Sequence, residues 1–387
     1  MSSAVGPREG RGTTIAKETG PRETGPKETG PKETGPKETG PKETGPKETG
    51  AGEAGAKHGP NQKNTMQAVV YHRYGPPNVL ELQEVEKPAV GDDDVLVRIR
   101  AASVNPYDWH YMRGEPVIAR PQLGGLRKPK STRLGVDMAG EVEAVGRNVR
   151  EFRPGDEVFG VCQGAFAEYA TTRESSLALK PANVTFEQAG AVGIAAFTAI
   201  QALRDWGQVQ PGQKVLINGA AGGVGTFAVQ LAKVWGAEVT GVCSTRNVEM
   251  VRSIGADHVI DYTKDDFTHD RQRYDVLLDI IGNRSLSKTR GVLNPQGRFV
   301  MIGGPKGRWI RPLDRILMAL MTSPFVSQKT VSRTAVWNKL DLVLMSELME
   351  SGKVRSVIDR PYSLREVPEA VRYLEEGHAR GKVVIVI

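Results

Sequence analysis

Cysteine is nearly absent: the 387 residues contain two, Cys162 and Cys243. That excludes a disulfide framework and any zinc lobe built from cysteines alone. Long apolar runs are missing as well. Crossing a bilayer takes about 18 or more consecutive apolar residues. The most apolar stretches here, Ile316–Met321 and Val383–Ile387, are far shorter. Nothing near the N-terminus offers the apolar core of a signal peptide. A cytoplasmic protein with no stable membrane insertion is the expectation. Charge is not concentrated either. The net +7 spreads along the chain with no Lys/Arg stripe, so no nucleic acid partner is expected.

Apolar residues make up 39% of the chain, below the roughly 45–50% of a globular average. Much of that deficit sits in residues 1–65, which hold 13 of the 44 glycines and 8 of the 24 prolines. Within them Lys17-Glu-Thr-Gly-Pro21 recurs, with starts at Arg22, Lys27, Lys32, Lys37, Lys42 and Lys47. A period of five fits neither collagen nor a solenoid. Each unit lacks an apolar side chain, so residues 1–65 are expected to be a disordered repeat tail. The remainder is long enough for two domains.

From Gln67 the pattern is β-rich, with strands expected over Ala68–Tyr71, Leu80–Val85, Val95–Ala102 and Gly140–Val145. Near residue 190 it changes to alternating strands and helices: Lys214–Asn218, helix Thr226–Trp235, Glu238–Cys243, helix Val248–Ile254 and His258–Asp261. Tyr274–Ile280 and Arg298–Ile302 continue the strands. Such alternation means an α/β fold with a doubly wound parallel sheet. Helices near Leu340–Glu350 and Leu364–Glu376 and a strand over Lys382–Ile387 close the chain. The layout is discontinuous: a β-rich domain over 66–190 completed by 331–387, and a nucleotide-type domain over 191–330.

The sharpest local signal is Gly219-Ala220-Ala221-Gly222-Gly223-Val224-Gly225. Its core, Ala220-x-Gly222-x-x-Gly225, is a dinucleotide fingerprint with Ala in place of the first Gly. Small residues are needed there so that the chain can turn sharply, bring backbone N–H groups to a pyrophosphate and pack the helix on the sheet. The loop follows an apolar strand and opens an apolar helix, the context that supports the motif. About twenty residues on, an acid would hold the ribose 2′-OH of NAD. Here the chain reads Ser244-Thr245-Arg246 instead. Arg246 and the Ser244 hydroxyl suit a 2′-phosphate, so NADPH is the expected cofactor.

With these residues in place, Gln67–Ile387 resembles the zinc-independent, quinone oxidoreductase-like branch of the medium-chain dehydrogenase/reductase superfamily. The resemblance rests on Ala102-Ser-Val-Asn105-Pro-Tyr-Asp108, Gly135-Val-Asp-Met-Ala-Gly140, Pro154-Gly-Asp-Glu-Val-Phe159 and Gly164-Ala-Phe-Ala-Glu-Tyr169. Ala195-Ala-Phe-Thr-Ala199, the glycine loop, Val259-Ile-Asp-Tyr262 and Gly377-His-Ala-Arg-Gly-Lys-Val-Val384 follow in order. It implies a GroES-like β-barrel catalytic domain and a Rossmann domain with NADPH in the cleft between them. Carried over by position, the cofactor residues are Ala220, Ala221, Gly222, Gly223, Val224, Gly225, Ser244, Arg246, Tyr262, Arg380, Gly381 and Lys382. A homodimer is the family expectation. Two departures stand out. Gly193 replaces the proline of many relatives, which predicts a more flexible turn. The segment 304–331 is long and apolar, and an amphipathic helix packed on the core is preferred there over a substrate lid or a membrane-surface patch.

Zinc-dependent members hold their metal with Cys and a His-Glu pair. Asn105 and Val136-Asp137 occupy those regions here, offering no set of three N, S or O ligands. No metal is expected. Without a Lewis acid, the small-molecule acceptor must spread the charge it receives, as a quinone or an α,β-unsaturated carbonyl does. The protein then supplies orientation and a donor for the developing oxyanion. Asn105, His110 and Tyr111 are the catalytic candidates, with Tyr107 and Asp108 beside them; Asp108 is read first as a helix cap. A metal-free alcohol dehydrogenase and a non-catalytic NADPH binder are the competing readings.

Overall fold

The computed structural model describes residues 64–123, 125–304, 313–322 and 326–387. The repeat tail expected over 1–65 lies outside the described residues except for its last two. Strand β1 (Thr65–Val70) pairs antiparallel with β2 (Glu81–Glu86). An eleven-residue strand, β3 (Asp94–Val104), leads into helix α1 (Pro106–Arg113) and the single turn α2 (Arg120–Leu123). Strands β4 (Asp137–Val145), β5 (Glu157–Val161), β6 (Tyr169–Arg173) and β7 (Leu177–Leu179) complete the first region. Two short helices follow, α3 (Phe186–Gly190) and α4 (Gly193–Gln201).

The second region alternates β8 (Lys214–Asn218), α5 (Gly223–Val234), β9 (Glu238–Cys243), α6 (Val248–Ser253), β10 (His258–Asp261) and β11 (Tyr274–Asp279). It ends with α7 (Leu286–Gly291), β12 (Leu293–Met301), α8 (Leu313–Thr322) and β13 (Lys329–Ser332). These six strands form one parallel sheet ordered β10-β9-β8-β11-β12-β13. The order reverses between β8 and β11, the switch point where doubly wound sheets bind dinucleotides. Strand β8 is central, with Leu216 opposite Thr240 on one side and Leu277 on the other. Its run Val215-Leu216-Ile217 is fully buried, as expected of a strand covered on both faces.

The chain then returns through α9 (Lys339–Glu350), β14 (Ile358–Ser363), α10 (Val367–Glu375) and β15 (Lys382–Val386). The seven-stranded barrel sheet runs β14-β15-β3-β4-β5-β7, with β6 on β3. The last strand of the chain thus pairs directly with β3 of the first region. The two sheets also share one core. Val136, Ala139, Phe159 and Val161 of the barrel pack with Ala195, Ala196, Ala199 and Ile200 of α4 and with Ile217 and Phe227.

Most expected elements are present with ends shifted by one to a few residues. Strands β5, β6, β7, β13 and β14 were not foreseen. β14 carries Pro361 and lies at the sheet edge, where a missing N–H donor is tolerated. The expected boundary at 330 falls inside β13. Helix α8 has one side on the core, through Ile316 and Ala319, and is latched by Arg315 to Asp279 at 2.8 Å. The rest of that segment, 305–312 and 323–325, lies outside the described residues. Gly193 also has a packing reason: a Cβ there would lie 1.9 Å from Asp137 Oδ1. Gly193→Ala should cost about 1–3 kcal/mol of stability through this overlap, read by chemical denaturation. A variant as stable as the parent would show that Asp137 has room to move away.

Candidate active site

The glycine loop forms because β8 ends one residue before Gly219, whose φ of +98° favours a residue without a side chain. A Cβ on Gly225 would sit 2.1 Å from the Gly219 carbonyl oxygen, so the turn closes only on glycine. Ala220 and Ala221 are buried against the shared core. Gly222 caps α5, a twelve-residue helix, and the first-turn N–H groups from Gly223 and Val224 have no carbonyl one turn back. This cradle suits a pyrophosphate on both shape and electrostatics.

The end of the chain closes on this loop. Gly381 pairs with Gly222, and its N–H donates to the Ala221 carbonyl at 2.8 Å. The stem of Lys382 runs alongside; a Cβ on Gly223 would meet its Cδ at 3.0 Å. Its ammonium does not turn toward the loop. Lys382 Nζ donates to Asn105 Oδ1 at 2.6 Å and to Asp137 Oδ2 at 3.2 Å. Ser103 Oγ and Asn105 Nδ2 also donate to Asp137 Oδ2, both at 2.8 Å. Asp137 Oδ1 accepts from the Ile194 N–H at 2.8 Å, in the first turn of α4. Every side chain in this network is buried. It joins β3, β4, β15 and α4, and so ties the barrel to the nucleotide fold.

Two expectations are corrected here. The Lys382 ammonium is occupied inside the protein, so Lys382 meets the cofactor region through its stem and its neighbour Gly381. Asn105 gives its amide hydrogens to Asp137 and to the Ser103 carbonyl, at 2.8 and 3.3 Å. With both spent, it positions rather than donates to an acceptor. Asp137 and Ser103 were not foreseen as site residues. A carboxylate within Gly-Val-Asp-Met-Ala, a run otherwise of small and apolar residues, was the available signal.

Helix α1 starts at this network. Asn105 is its N-cap, and Asp108 closes a capping box by accepting from the Asn105 N–H at 2.7 Å. The other Asp108 oxygen accepts from the Gly135 N–H at 3.0 Å. Burial pushes its carboxyl up to about 7, against the pull of those two donors. His110 Nδ1 lies 2.7 Å from the Glu115 carbonyl, which makes it the protonated ring nitrogen. Tyr111 stacks on Tyr107 with ring centres 4.1 Å apart. Burial, then the hydrogen bond with Tyr111, raises the Tyr107 hydroxyl well above the usual range, so it stays a protonated donor.

Ser244, Arg246 and Tyr262 gather at the carboxyl ends of β9 and β10, as a nucleotide's adenosine end requires. The Tyr262 N–H donates to the Cys243 carbonyl at 3.0 Å, and its ring is 48% exposed. Arg246 is exposed and donates to the His378 carbonyl, which leads toward Arg380 and Gly381. Asn247 is buried, and its Oδ1 has no partner in the protein. An orphaned acceptor beside Ser244 is what a ribose hydroxyl would satisfy. One acid does stand near, Asp261. Its oxygens are taken by the hydroxyls of Thr245 at 2.6 Å and Thr263 at 2.8 Å, which hold its carboxyl down to about 2. The residues present fit a phosphorylated dinucleotide.

Known proteins bear on this arrangement. Residues 91–182 match the family described as alcohol dehydrogenase GroES-like domain, and residues 254–385 the family described as zinc-binding dehydrogenase. The chain is 36% identical over 335 residues to a 2-methylene-furan-3-one reductase of Solanum lycopersicum, covering 83% of this chain and 79% of that one. It is 35% identical, over the same shares, to a chloroplastic NADPH-dependent alkenal/one oxidoreductase of Arabidopsis thaliana. Its fold matches a quinone oxidoreductase from Coxiella burnetii with a TM-score of 0.74, at 29% identity, over 84% of this chain and 99% of that one. The chain belongs to the quinone oxidoreductase-like branch of the medium-chain dehydrogenase/reductase superfamily. Despite the zinc in one family's description, the described residues contain no group of three or more His, Cys, Asp or Glu able to hold a metal ion.

Arg246→Ala tests the adenosine end. A charged hydrogen bond contributes about 1.5–3 kcal/mol, so NADPH affinity should fall roughly 10- to 150-fold while NADH affinity barely changes. Equal weakening of both, measured by fluorescence titration, would remove Arg246 from the 2′-phosphate site.

Proposed function

We propose that this NADPH-dependent oxidoreductase reduces a quinone or the activated C=C bond of an α,β-unsaturated carbonyl, and that it does so without a metal ion. The observation that carries the reading is the cation already built into the polar centre. Lys382 Nζ sits between Asn105 and Asp137, and the carboxylate already accepts from Lys382, Ser103, Asn105 and the Ile194 N–H. Nothing remains there to ligate zinc, which needs at least three N, S or O donors.

NADPH, when bound, supplies the hydride. The chain's own part is to hold and orient. The glycine loop, with Gly381 closed on it, fixes the pyrophosphate, and Arg246, Ser244 and Tyr262 fix the phosphorylated ribose. An acceptor without a Lewis acid must delocalise charge onto an oxygen, and a donor must meet that oxygen. With Asn105 turned inward and the His110 Nδ1 hydrogen given to the Glu115 carbonyl, that role falls to the Tyr111 hydroxyl on α1, or to His110 Nε2 only when the ring is protonated. Tyr107 stacks on Tyr111 and hydrogen-bonds to it, which favours a rigid aromatic wall suited to a planar acceptor.

Names of relatives support this reading, since they act on alkenals, enones and quinones. They also include mitochondrial and chloroplastic proteins, so cytoplasmic residence remains an expectation, as does the homodimer. No helix among the described residues is long and apolar enough to cross a membrane.

The test follows NADPH absorbance with an enone, a quinone and a saturated aldehyde, and in reverse with a primary alcohol. Turnover is expected with the first two alone, and His110→Ala or Tyr111→Phe should lower it about 100- to 1,000-fold if that residue is the donor. Reaction of the aldehyde and alcohol alone would make the protein a metal-free alcohol dehydrogenase. No reaction at all would favour a non-catalytic binder.

A further inference from the structure

The even spread of charge expected from the sequence fails in one stretch. Between Glu115 and Asp137 the chain carries Arg120, Arg127, Lys128, Lys130 and Arg133 and no Asp or Glu. Arg120 is structural. Its guanidinium lies over the Tyr74 ring at 4.6 Å and donates to the carbonyls of Gly114 and Leu126, at 3.0 and 3.4 Å. Tyr74 Oη donates to the Gly125 carbonyl at 2.7 Å, and the Gly125 N–H to the Arg120 carbonyl at 2.9 Å. At the far end the Tyr71 N–H donates to the Thr132 carbonyl at 2.9 Å, and Arg133 pairs with Val70 of β1. The lobe is therefore pinned at both ends.

Its outer surface is different. Arg127, Lys128 and Lys130 are exposed on either side of buried Pro129, and among the described residues none of the three forms an ion pair. The same stretch of chain exposes two apolar side chains: Ile118 is 61% exposed and Leu126 68%. The Arg120–Leu126 contact holds both on the same lobe. Unpaired cations next to exposed aliphatic side chains fit a surface that is anionic outside and apolar beneath. A nucleic acid would use the cations and leave Ile118 and Leu126 in water.

We propose that Ile118 and the 126–130 stretch dock this protein on the headgroup surface of an anionic lipid bilayer, with Arg127, Lys128 and Lys130 on the phosphates and Ile118 and Leu126 at the acyl boundary. The lobe leaves from the end of α1 and returns into β4, the two elements that carry His110, Tyr111 and Asp137. Docking there would bring the acceptor side of the barrel to the membrane, where lipophilic quinones and enals partition.

Vesicle co-sedimentation of the full chain tests the inference without turnover, so the outcome stands apart from that of the acceptor assay. The probes are pure phosphatidylcholine vesicles and vesicles with a phosphatidylglycerol fraction. Each cation near an anionic surface contributes on the order of 1 kcal/mol, so three predict roughly 100-fold tighter binding to the anionic vesicles, weakening as salt is raised. The variant R127Q/K128Q/K130Q should lose that factor, with unchanged melting temperature and unchanged reduction of a water-soluble acceptor. I118S/L126S should weaken binding to the anionic vesicles about tenfold or more. Equal binding to both vesicle types, no binding to either, or a triple variant that binds like the parent would overturn the proposal. So would an RNA probe that competes the protein off vesicles while I118S/L126S binds like the parent.

Discussion

One buried ion pair sets the geometry of the molecule. Asp137 opens β4 and Lys382 opens β15, 245 positions apart in the chain and 3.2 Å apart in space. Neither charge reaches solvent. Removing two charges from water costs several kcal/mol per ion unless their remaining hydrogen-bonding capacity is met. Here Ser103, Asn105 and the Ile194 N–H meet it. Those three groups come from the barrel, the head of α1 and the first turn of α4, so the pair is satisfied only when all the elements are in place. That requirement accounts for Gly193, which has no side chain because the Asp137 carboxylate stands where a Cβ would be.

The position of the pair has consequences for the cleft. Lys382 follows Gly381, and Gly381 is bonded to the glycine loop. Asn105 precedes α1, which carries His110 and Tyr111. A shift of the pair would therefore displace the phosphate cradle on one side and the donor helix on the other. The chemistry proposed for the site needs both held in register. Energy placed in a buried polar network is a poor route to stability but a good one to a single arrangement, and that is its use in this fold.

Much of this was legible from the residues. The strands flanking the glycine loop were placed to the residue at Lys214–Asn218 and Glu238–Cys243, because apolar runs bounded by turn residues leave little choice. The loop itself, with Arg246 and the missing acid after β9, pointed to the cofactor. Strands such as β14 were missed because Ile358-Asp-Arg-Pro-Tyr-Ser shows no alternation; pairing with β15 at the sheet edge creates it. The network was missed for a deeper reason. Asn105, Asp137 and Lys382 each read as a separate feature: a catalytic candidate, a lost metal ligand and a cofactor contact. Only the return of the last strand into the first region brings them together, and no local pattern encodes that. The basic lobe is hidden in the whole-chain balance of charge and stands out only over the stretch between Glu115 and Asp137.

A double-mutant cycle on Asp137 and Lys382, read by urea denaturation of the NADPH-free protein, tests the central claim most directly. Lys382→Met should cost about 3–5 kcal/mol, because it leaves the Asp137 charge buried without its partner. Asp137→Asn should cost a comparable amount by isolating the ammonium. The double variant should be less destabilised than the sum of the two by at least about 2 kcal/mol, since neither uncompensated charge remains. Additive losses, or single variants as stable as the parent, would contradict the account of the pair as the constraint on which the two sheets and the cleft depend.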